Sequence, residues 1–422
     1  MTLQKAATLS LLVWGLVFPG LGRAQQPEDL FTYGITGSDP HGAYTSAMSH
    51  LPVQKLLLDL AAQPRSAGFM DAALQGSGVS RQDLEGLGLV RRQGDDYVLS
   101  FTLFTSADVR RVRAVAESSA RSLVSAFLAR RPEIEVALQK YPVKTVDPKA
   151  VAYILLGCFS LDWDGLDLTA EKHYRSAAPE QPDGDRYIPW AEQKSDLTLK
   201  GIYWGSHNED LPNVVFTSFG DHFSLPRYAL PDLFWRLPRW ATEEGNLPES
   251  LKPKLRSALW VSVQITARQI GDMLVALREG GKTKEELAQV ASLTPEQAAD
   301  LLGLLVELEY IGQEGEQYYA RIPVLGEQDQ AMVMELRHIG RQIAETWLAA
   351  HYEQLHNDLA GLTPLRYGVP FADGFTQVWH YIFGEANRQL VEAGLFADPY
   401  AENRKYKGFI PAVWHPALSD LR

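Results

Sequence analysis

The residue types most suited to chemistry lie in the middle of the chain. Residues 216–223 hold a serine, an aspartate and a histidine within five positions, and another histidine, His207, precedes them. These three residue types can act together in hydrolysis, with histidine taking the proton of the serine hydroxyl. His207, Asp221 and His222 are therefore our candidate catalytic residues for a hydrolase. Because such triads assemble in space from separate elements, the same sequence also fits a hydrogen-bonded turn between aromatic strands.

The surrounding region is rich in aromatic side chains. Residues 186–240 hold Trp190, Trp204 and Trp235 among several tyrosines and phenylalanines. Aromatic rings with interspersed polar groups are typical of small-molecule clefts, so these three tryptophans are our candidate ligand-binding residues. The same composition suits the core of a β-rich layer. The sequence leaves the choice between cleft and core open.

Two other patterns have only part of the motif that their chemistry needs. Asp162, Asp164 and Asp167 offer carboxylates for calcium, but the central glycine and the later glutamate of a calcium loop are missing. We expect a solvated helix face there. Residues 281–283 resemble the end of a phosphate-binding loop, but Ala276 stands where that loop needs a glycine. The sequence therefore predicts no metal and no cofactor.

An internal repeat organises the chain around these residues. Residues 87–97 match residues 308–318 at an offset of 221, which brings Gly94 onto Gly315 in a predicted turn. Identity is low, so the repeat depends on a shared pattern of helical segments, a short apolar segment, the turn and a strand-like run. In the second copy, residues 294–297 predict a helix start with a capping box.

Three helices followed by a two-stranded hairpin is the element order of the winged helix-turn-helix superfamily, which residues 51–105 and 270–325 resemble. The resemblance implies two winged-helix modules in one chain. A long amphipathic helix is predicted after each module, over 106–131 and 329–360. In winged-helix regulators such a helix commonly pairs subunits, so the two copies are expected to pair with each other.

We predict an α+β fold, mostly helical, in which a winged-helix unit, a long helix and a small strand-containing extension occur twice in tandem. Residues 200–204 are matched with 407–410 inside the extensions. The predicted boundaries are, in chain order, a first half at 25–237 with an aromatic extension at 150–237, a linker at 238–253, and a second half at 254–422 with an extension at 364–422.

The charge argues against nucleic acid as a partner. The chain has 40 basic and 52 acidic residues and a net charge of −12. A recognition helix needs lysine or arginine to neutralise phosphates, but residues 295–307 carry only acidic charges. The first copy offers Arg81, Arg91 and Arg92, which four carboxylates surround. We expect no nucleic-acid binding and keep a regulator-like nucleic-acid binder as the second alternative function.

The N-terminus has the three parts of a secretory signal. Lys5 is the positive region, residues 6–21 form an apolar run, and residues 22–24 offer small side chains for cleavage after Ala24. The alternative is an uncleaved anchor, but the run is shorter than the roughly 20 residues that cross a bilayer. We therefore predict a signal peptide at 1–24 and an exported protein, periplasmic or extracellular, without membrane attachment after cleavage.

Together these features predict a non-enzymatic protein that binds another protein or a small-molecule ligand through duplicated winged-helix modules. The first alternative is the hydrolase built on His207, Asp221 and His222. The single cysteine, Cys158, allows no intramolecular disulfide. Because Cys158 lies in an apolar run, we expect it to be a small buried hydrophobic residue.

Overall fold

The structure is a computed structural model that describes residues 29–38, 41–181, 184–195, 201–221, 227–236, 247–258 and 263–418. It is 54% helical and 18% strand, so the predicted α+β, mostly helical class is confirmed. Within the described ranges, no helix has the length and apolar character to cross a membrane. The predicted signal segment, 1–24, lies outside these ranges.

Helices dominate the chain. The α-helices are α1 (Ala43–Met48), α2 (Leu51–Ala62), α3 (Ala67–Ala73), α4 (Arg81–Gly86), α5 (Ser106–Ala129), α6 (Arg131–Leu138), α7 (Pro148–Ala152), α8 (Gly165–Glu171), α9 (Leu230–Arg236), α10 (Lys252–Ala258), α11 (Val263–Ala276), α12 (Lys284–Val290), α13 (Pro295–Glu307), α14 (Gln330–Asp358), α15 (Thr363–Arg366) and α16 (Phe371–Glu392). A π-helix, Tyr153–Asp164, joins α7 to α8, and short 3-10 turns occur at Leu277–Glu279, Glu327–Asp329 and Pro416–Leu418.

The strands are short and form four sheets within the described residues. They are β1 (Phe31–Ser38), β2 (Arg65–Ser66), β3 (Val90–Gln93), β4 (Asp96–Leu99), β5 (Thr102–Phe104), β6 (Arg186–Gln193), β7 (Tyr203–Asp210), β8 (Val215–Asp221), β9 (Lys282–Thr283), β10 (Ile311–Glu314), β11 (Gln317–Ala320), β12 (Val324–Leu325) and β13 (Phe409–Trp414).

The chain forms two compact units that differ from the two predicted halves, 25–237 and 254–422. The first unit is Met1–Val112, Lys172–Thr198 and Gln354–Thr376, and the second is Arg113–Glu171, Leu199–Glu353 and Gln377–Arg422. Each unit therefore combines segments from both predicted halves. The three longest helices, α5, α14 and α16, each contribute residues to both units.

The first unit contains two three-stranded sheets. One has the order β1-β6-β5, with β1 antiparallel and β5 parallel to β6, and the other has the order β2-β4-β3. The core includes Phe31, Tyr44, Leu56, Leu99 and Tyr187, all at 0% exposure. Apolar side chains from strands and helices thus share one buried cluster.

The second unit contains a four-stranded sheet, β12-β13-β8-β7, and a three-stranded sheet, β10-β11-β9. The π-helix packs on β7 and β13, and α9 packs on β7 and β8. Successive strand residues point to opposite faces. Accordingly, Ser206 of β7 bonds to the π-helix while its neighbour His207 bonds to α9. The four-stranded sheet is therefore covered by a helix on each face.

Two segments contain the same elements in the same order. We call residues 51–104 module 1 and residues 263–325 module 2; each has a helix, a short strand, two helices and three short strands. In both, the first short strand pairs with the second strand of the hairpin: Arg65 lies opposite Tyr97, and Lys282 opposite Tyr318. The long helices that follow, α5 and α14, begin and end within two residues of the predicted bounds.

Hydrogen bonds recur between the modules at the predicted offset of 221. The Ser100 amide donates to the Leu89 carbonyl at 3.1 Å, and the Arg321 amide donates to the Tyr310 carbonyl at 3.0 Å. At the predicted turn, Gly94 has a φ of 65° and Gly315 a φ of 60°, a region that suits glycine. The predicted capping box between Thr294 and Gln297 is present.

One local prediction is wrong. Asp162 and Asp164 do not lie on a solvated helix face, because they belong to the π-helix, which is buried on all sides. Asp164 instead forms a buried two-point ion pair with Arg337. The apolar periodicities of 3.6 and 2.0 residues that mark an α-helix and a strand do not mark a π-helix, so the sequence pattern does not predict this one. Cys158, in the same helix, is buried as predicted.

Candidate functional site

A cluster of polar side chains lies between α9 and the four-stranded sheet of the second unit. His207 and Ser218 are directly opposite each other on β7 and β8. Asp232, in the first turn of α9, bonds to both residues. One carboxylate oxygen pairs with Nδ1 of His207, and the other accepts from Oγ of Ser218 at 3.0 Å. Asp232 therefore ties the helix to two strands.

Arg227, just before α9, completes this cluster. Its guanidinium is fully buried and donates from Nη1 to the Gly205 carbonyl at 3.1 Å and from Nη2 to the Asp221 carbonyl at 2.7 Å. Nη1 also lies 3.4 Å from Oγ of Ser218. Backbone carbonyls thus hold a positive charge beside the carboxylate of Asp232.

The electrostatics keep Asp232 ionised. Burial alone raises the pKa of Asp232, but the charge and hydrogen bond of His207, with help from Arg227 and Ser218, outweigh burial and lower that pKa. Burial lowers the pKa of Arg227, a change that Asp232 opposes. A buried carboxylate and guanidinium in one hydrogen-bonded network are costly to separate.

The cluster differs from a hydrolytic triad in its hydrogen bonds. In a triad, the serine hydroxyl is bonded to histidine and the carboxylate to the other ring nitrogen. Here the Ser218 hydroxyl donates to Asp232, so the carboxylate connects both groups. The described geometry fits a structural clamp that joins α9 to the sheet.

The predicted catalytic residues have separate surroundings where the structure describes them. Asp221 lies three positions beyond Ser218 on β8, and its carboxylate accepts from the Gly201 amide at 2.8 Å and from the Tyr400 hydroxyl at 2.7 Å. His222 lies outside the described residues. Sequence reasoning missed Asp232 because it is 25 residues from His207 and follows no motif that links them.

On the opposite face of the sheet, Asp162 forms a second polar group. Its Oδ2 accepts from Oγ of Ser206 at 3.2 Å, and Nε1 of Trp163 donates to the same hydroxyl at 3.3 Å. Oδ1 of Asp162 has no hydrogen-bond partner among the described residues. Burial raises the pKa of Asp162 well above its usual value, and the hydrogen bond from Ser206 only partly opposes that rise.

The candidate tryptophans are divided between the two units. Trp190 belongs to the first unit, where its ring packs over Gly34 of the neighbouring strand. Trp204 belongs to the second unit, is 4% exposed, and lies 4.3 Å from the His380 ring, measured between centroids. Trp235 lies on α9, and the structure does not describe its side chain. Burial of Trp204 favours a core over a cleft at this position.

Three arginines of module 1, the ones considered above for phosphate binding, contact their own chain. Arg81 bonds to Asp71 and to the Tyr97 hydroxyl. Arg91 donates to the Tyr367 carbonyl, and Arg92 donates to the Gly94 carbonyl at 2.9 Å. These three guanidinium groups therefore already have acceptors in the folded protein.

The last turn of α13, the third helix of module 2, is covered by the chain itself. The carboxylate of Glu307 accepts from Oγ of Ser250 at 2.7 Å, from Nζ of Lys405, and from the Tyr406 hydroxyl at 3.0 Å. Helix α10 packs along α13 as well. The predicted linker, 238–253, therefore includes residues that dock on module 2 rather than only connecting halves.

Among the described residues, no group of three or more histidine, cysteine or acidic side chains has the arrangement to hold a metal ion. The chain matches no protein-family model, no curated protein and no solved structure.

Proposed function

We propose that the protein is an exported, non-enzymatic interaction protein whose two modules are winged helices that contact protein rather than nucleic acid. In this proposal the hairpins β3–β4 and β10–β11 are the wings, and α4 and α13 are the helices that a DNA-binding relative would place in the major groove. The repeated element order and strand pairing support the winged-helix assignment.

The observation that carries the proposal is the set of contacts that covers the last turn of α13. A recognition helix must present its face to the groove with basic side chains. Glu307 is only 11% exposed, because Ser250, Lys405 and Tyr406 bond to it. A duplex could reach the last turn of this helix only after those contacts were broken, and at the exposed first turns it would meet the acidic residues Glu296 and Asp300.

Module 1 offers the more accessible surface. On α4, Gln82, Asp83 and Glu85 are exposed, whereas Leu84 is buried in the core. The hairpin turn adds the exposed Asp95. This surface repels phosphates and suits polar contacts with a protein partner. We therefore assign the partner-facing side to α4 and the β3–β4 turn.

Fluorescence anisotropy with a duplex DNA tests the exclusion of nucleic acid. At about 50 mM salt, where electrostatic binding is strong, we expect no saturable signal up to about 10 µM protein. The variant Asp95→Lys with Asp96→Lys serves as a matched control, since it makes the same turn basic and should gain salt-sensitive binding. Binding by the unmodified protein that Arg91→Glu with Arg92→Glu abolishes would overturn the proposal.

Photo-cross-linking in the source cells tests the partner surface. A photoreactive side chain at Gln82 on α4 should give a discrete cross-linked protein. The same group at Ala299, which is exposed on α13, is the matched control and should give none. A product at Ala299 alone would move the contact to module 2, and absence of products at both positions would contradict the interaction proposal.

A further inference from the structure

Two strands that lie far apart in sequence have the same local packing. A Cβ added at Gly37 of β1 would collide with the Arg186 carbonyl and lie 2.8 Å from Cα of Tyr187. A Cβ added at Gly220 of β8 would collide with the Gly408 carbonyl and lie 2.7 Å from Cα of Phe409. Both glycines therefore allow the same close approach at the start of an antiparallel partner strand.

The partner strands also correspond. Strand β6 contains residues 187–189, Tyr-Ile-Pro, and β13 contains residues 409–411, Phe-Ile-Pro. Each lies parallel to the last strand of a module: β6 to β5, and β13 to β12. In this correspondence the equivalent of β13 is β6, whereas the predicted match paired residues 407–410 with residues 200–204, of which 203–204 lie on β7.

These correspondences move the junction between the two copies. One copy, repeat 1, runs from β1 to β6 (31–193), and the other, repeat 2, runs from β8 to β13 (215–414). Strand β7 is then an added edge strand beside β8. The junction lies between 194 and 214, so the predicted linker at 238–253 falls inside repeat 2.

Each repeat has a short segment, which we call its arm, that contacts the module of the other repeat. In the first unit, α15 of repeat 2 packs on β5 of repeat 1, where the Thr363 amide donates to Oδ1 of Asp108 at 3.0 Å. In the second unit, Thr145 of repeat 1 donates to the Ala320 carbonyl of repeat 2 at 2.7 Å. At the offset of 221, Thr145 corresponds to Arg366 of α15. Reciprocal use of one surface is the mark of a two-fold dimer interface.

Helices of the two repeats also approach closely inside the second unit. A Cβ at Gly340 of α14 would collide with the Ser160 side chain of the π-helix, and a Cβ at Gly165 of α8 would lie 2.9 Å from Nε1 of Trp379 on α16. Nε1 of Trp347 on α14 donates to Oγ of Ser122 on α5 at 2.7 Å. These contacts need no covalent connection between the repeats.

We infer that the chain is a covalently joined dimer of two copies of one ancestral repeat. The arm and the helix faces of each repeat bind the other repeat. The connection between 194 and 214 raises the effective concentration of the two repeats, and its strand β7 pairs with β8 and so stays with repeat 2 when the chain is cut before it. This inference is independent of the protein-partner proposal, because it concerns contacts within the chain.

A cleavable junction tests this inference in the full-length protein. We would insert a site for a specific protease between Asp196 and Leu197, cut the folded protein, and follow the two fragments by size-exclusion chromatography. The fragments should elute together, and the thermal midpoint should become dependent on concentration after cleavage. Separation of the fragments at about 10 µM would overturn the inference.

A matched pair of glycine variants makes the test specific. In the cut protein, Gly340→Ala should weaken fragment association at least tenfold, because the methyl group collides with Ser160. Gly303→Ala makes the same change within α13, where the nearest atom to the new methyl is the flexible Lys254 Nζ at 3.8 Å, and it should leave association unchanged. Circular dichroism of the uncut variants verifies that both fold. Equal effects of the two changes would contradict the proposed interface.

Discussion

The Tyr141 hydroxyl bonds to both backbone groups of Val324: it donates to the carbonyl at 3.1 Å and accepts from the amide at 2.9 Å. One side chain thus takes the place of a strand neighbour along the edge of β12. Burial raises the pKa of Tyr141, so the hydroxyl keeps its proton and remains a donor throughout the physiological range.

Tyr141→Phe should therefore destabilise the protein by about 2 kcal/mol, because it leaves a buried amide and a buried carbonyl without partners. Urea unfolding measures the change in the free energy of unfolding. The half-buried Tyr318 is the control, and Tyr318→Phe should cost less than about 0.5 kcal/mol. Equal costs for the two variants would mean that the Tyr141 hydroxyl contributes little.

Asp162 should make the protein less stable as the pH rises. Its pKa is raised in the folded state, so above pH 3.8 the folded protein binds more protons than the unfolded chain. The free energy of unfolding then falls by up to about 1.4 kcal/mol per pH unit until the pH reaches the folded-state pKa. Asp162→Asn should remove this dependence and be the more stable protein at pH 7. Parallel pH profiles for the two proteins would refute the assignment.

Asp232 should behave in the opposite way. Its pKa is lowered, so it contributes stability above its usual pKa of 3.8, and that contribution is lost as the pH falls through the lowered folded-state value. Asp232→Asn should cost about 3 kcal/mol at pH 7, because Arg227 remains buried with less compensation. The difference between the proteins should shrink under acid conditions. A constant difference from pH 7 to pH 3 would argue against an ionised Asp232.

If the protein is exported, the mature chain should begin at one defined residue. Cleavage after Ala24 gives an N-terminal Gln25 and leaves 38 basic against 52 acidic residues, a net charge of −14. Intact-mass measurement of protein recovered outside the cytoplasm tests this processing. Ala24→Phe places a bulky side chain at the cleavage position and should retain the precursor. Mature material that still begins at Met1 would rule out the signal peptide.

The parts of the fold that the sequence predicted depend on local chemistry. Thr294 and Gln297 form their capping box within one turn, and the turn at Gly315 needs a backbone conformation that glycine adopts easily. Such features depend on residues that are close in the chain. The long helices were similarly predictable, because their apolar stripe repeats every three or four residues.

The candidate site was harder to predict because its contacts are not local. His207 meets Asp232 only after β7, β8 and α9 have packed together, and no spacing in the sequence marks that pair. The sequence predicted an exposed Asp162, because acidic side chains usually lie at the surface. The start of the second repeat was missed for a related reason: Gly37 and Gly220 correspond through a strand pairing, at an offset that differs from 221.

The hydrogen bond between Asp108 and Thr363 joins residues that are 255 positions apart. During synthesis, the first unit therefore cannot form this contact until long after Asp108 has been made. At roughly 5–20 residues per second, Thr363 is made about 13–50 s after Asp108. Strand β5 and the start of α5 are therefore complete well before α15 exists to cover them. The nascent chain passes through a period in which its first module is fully synthesised but still lacks one of its packing partners, and contacts so distant in sequence form slowly even afterwards.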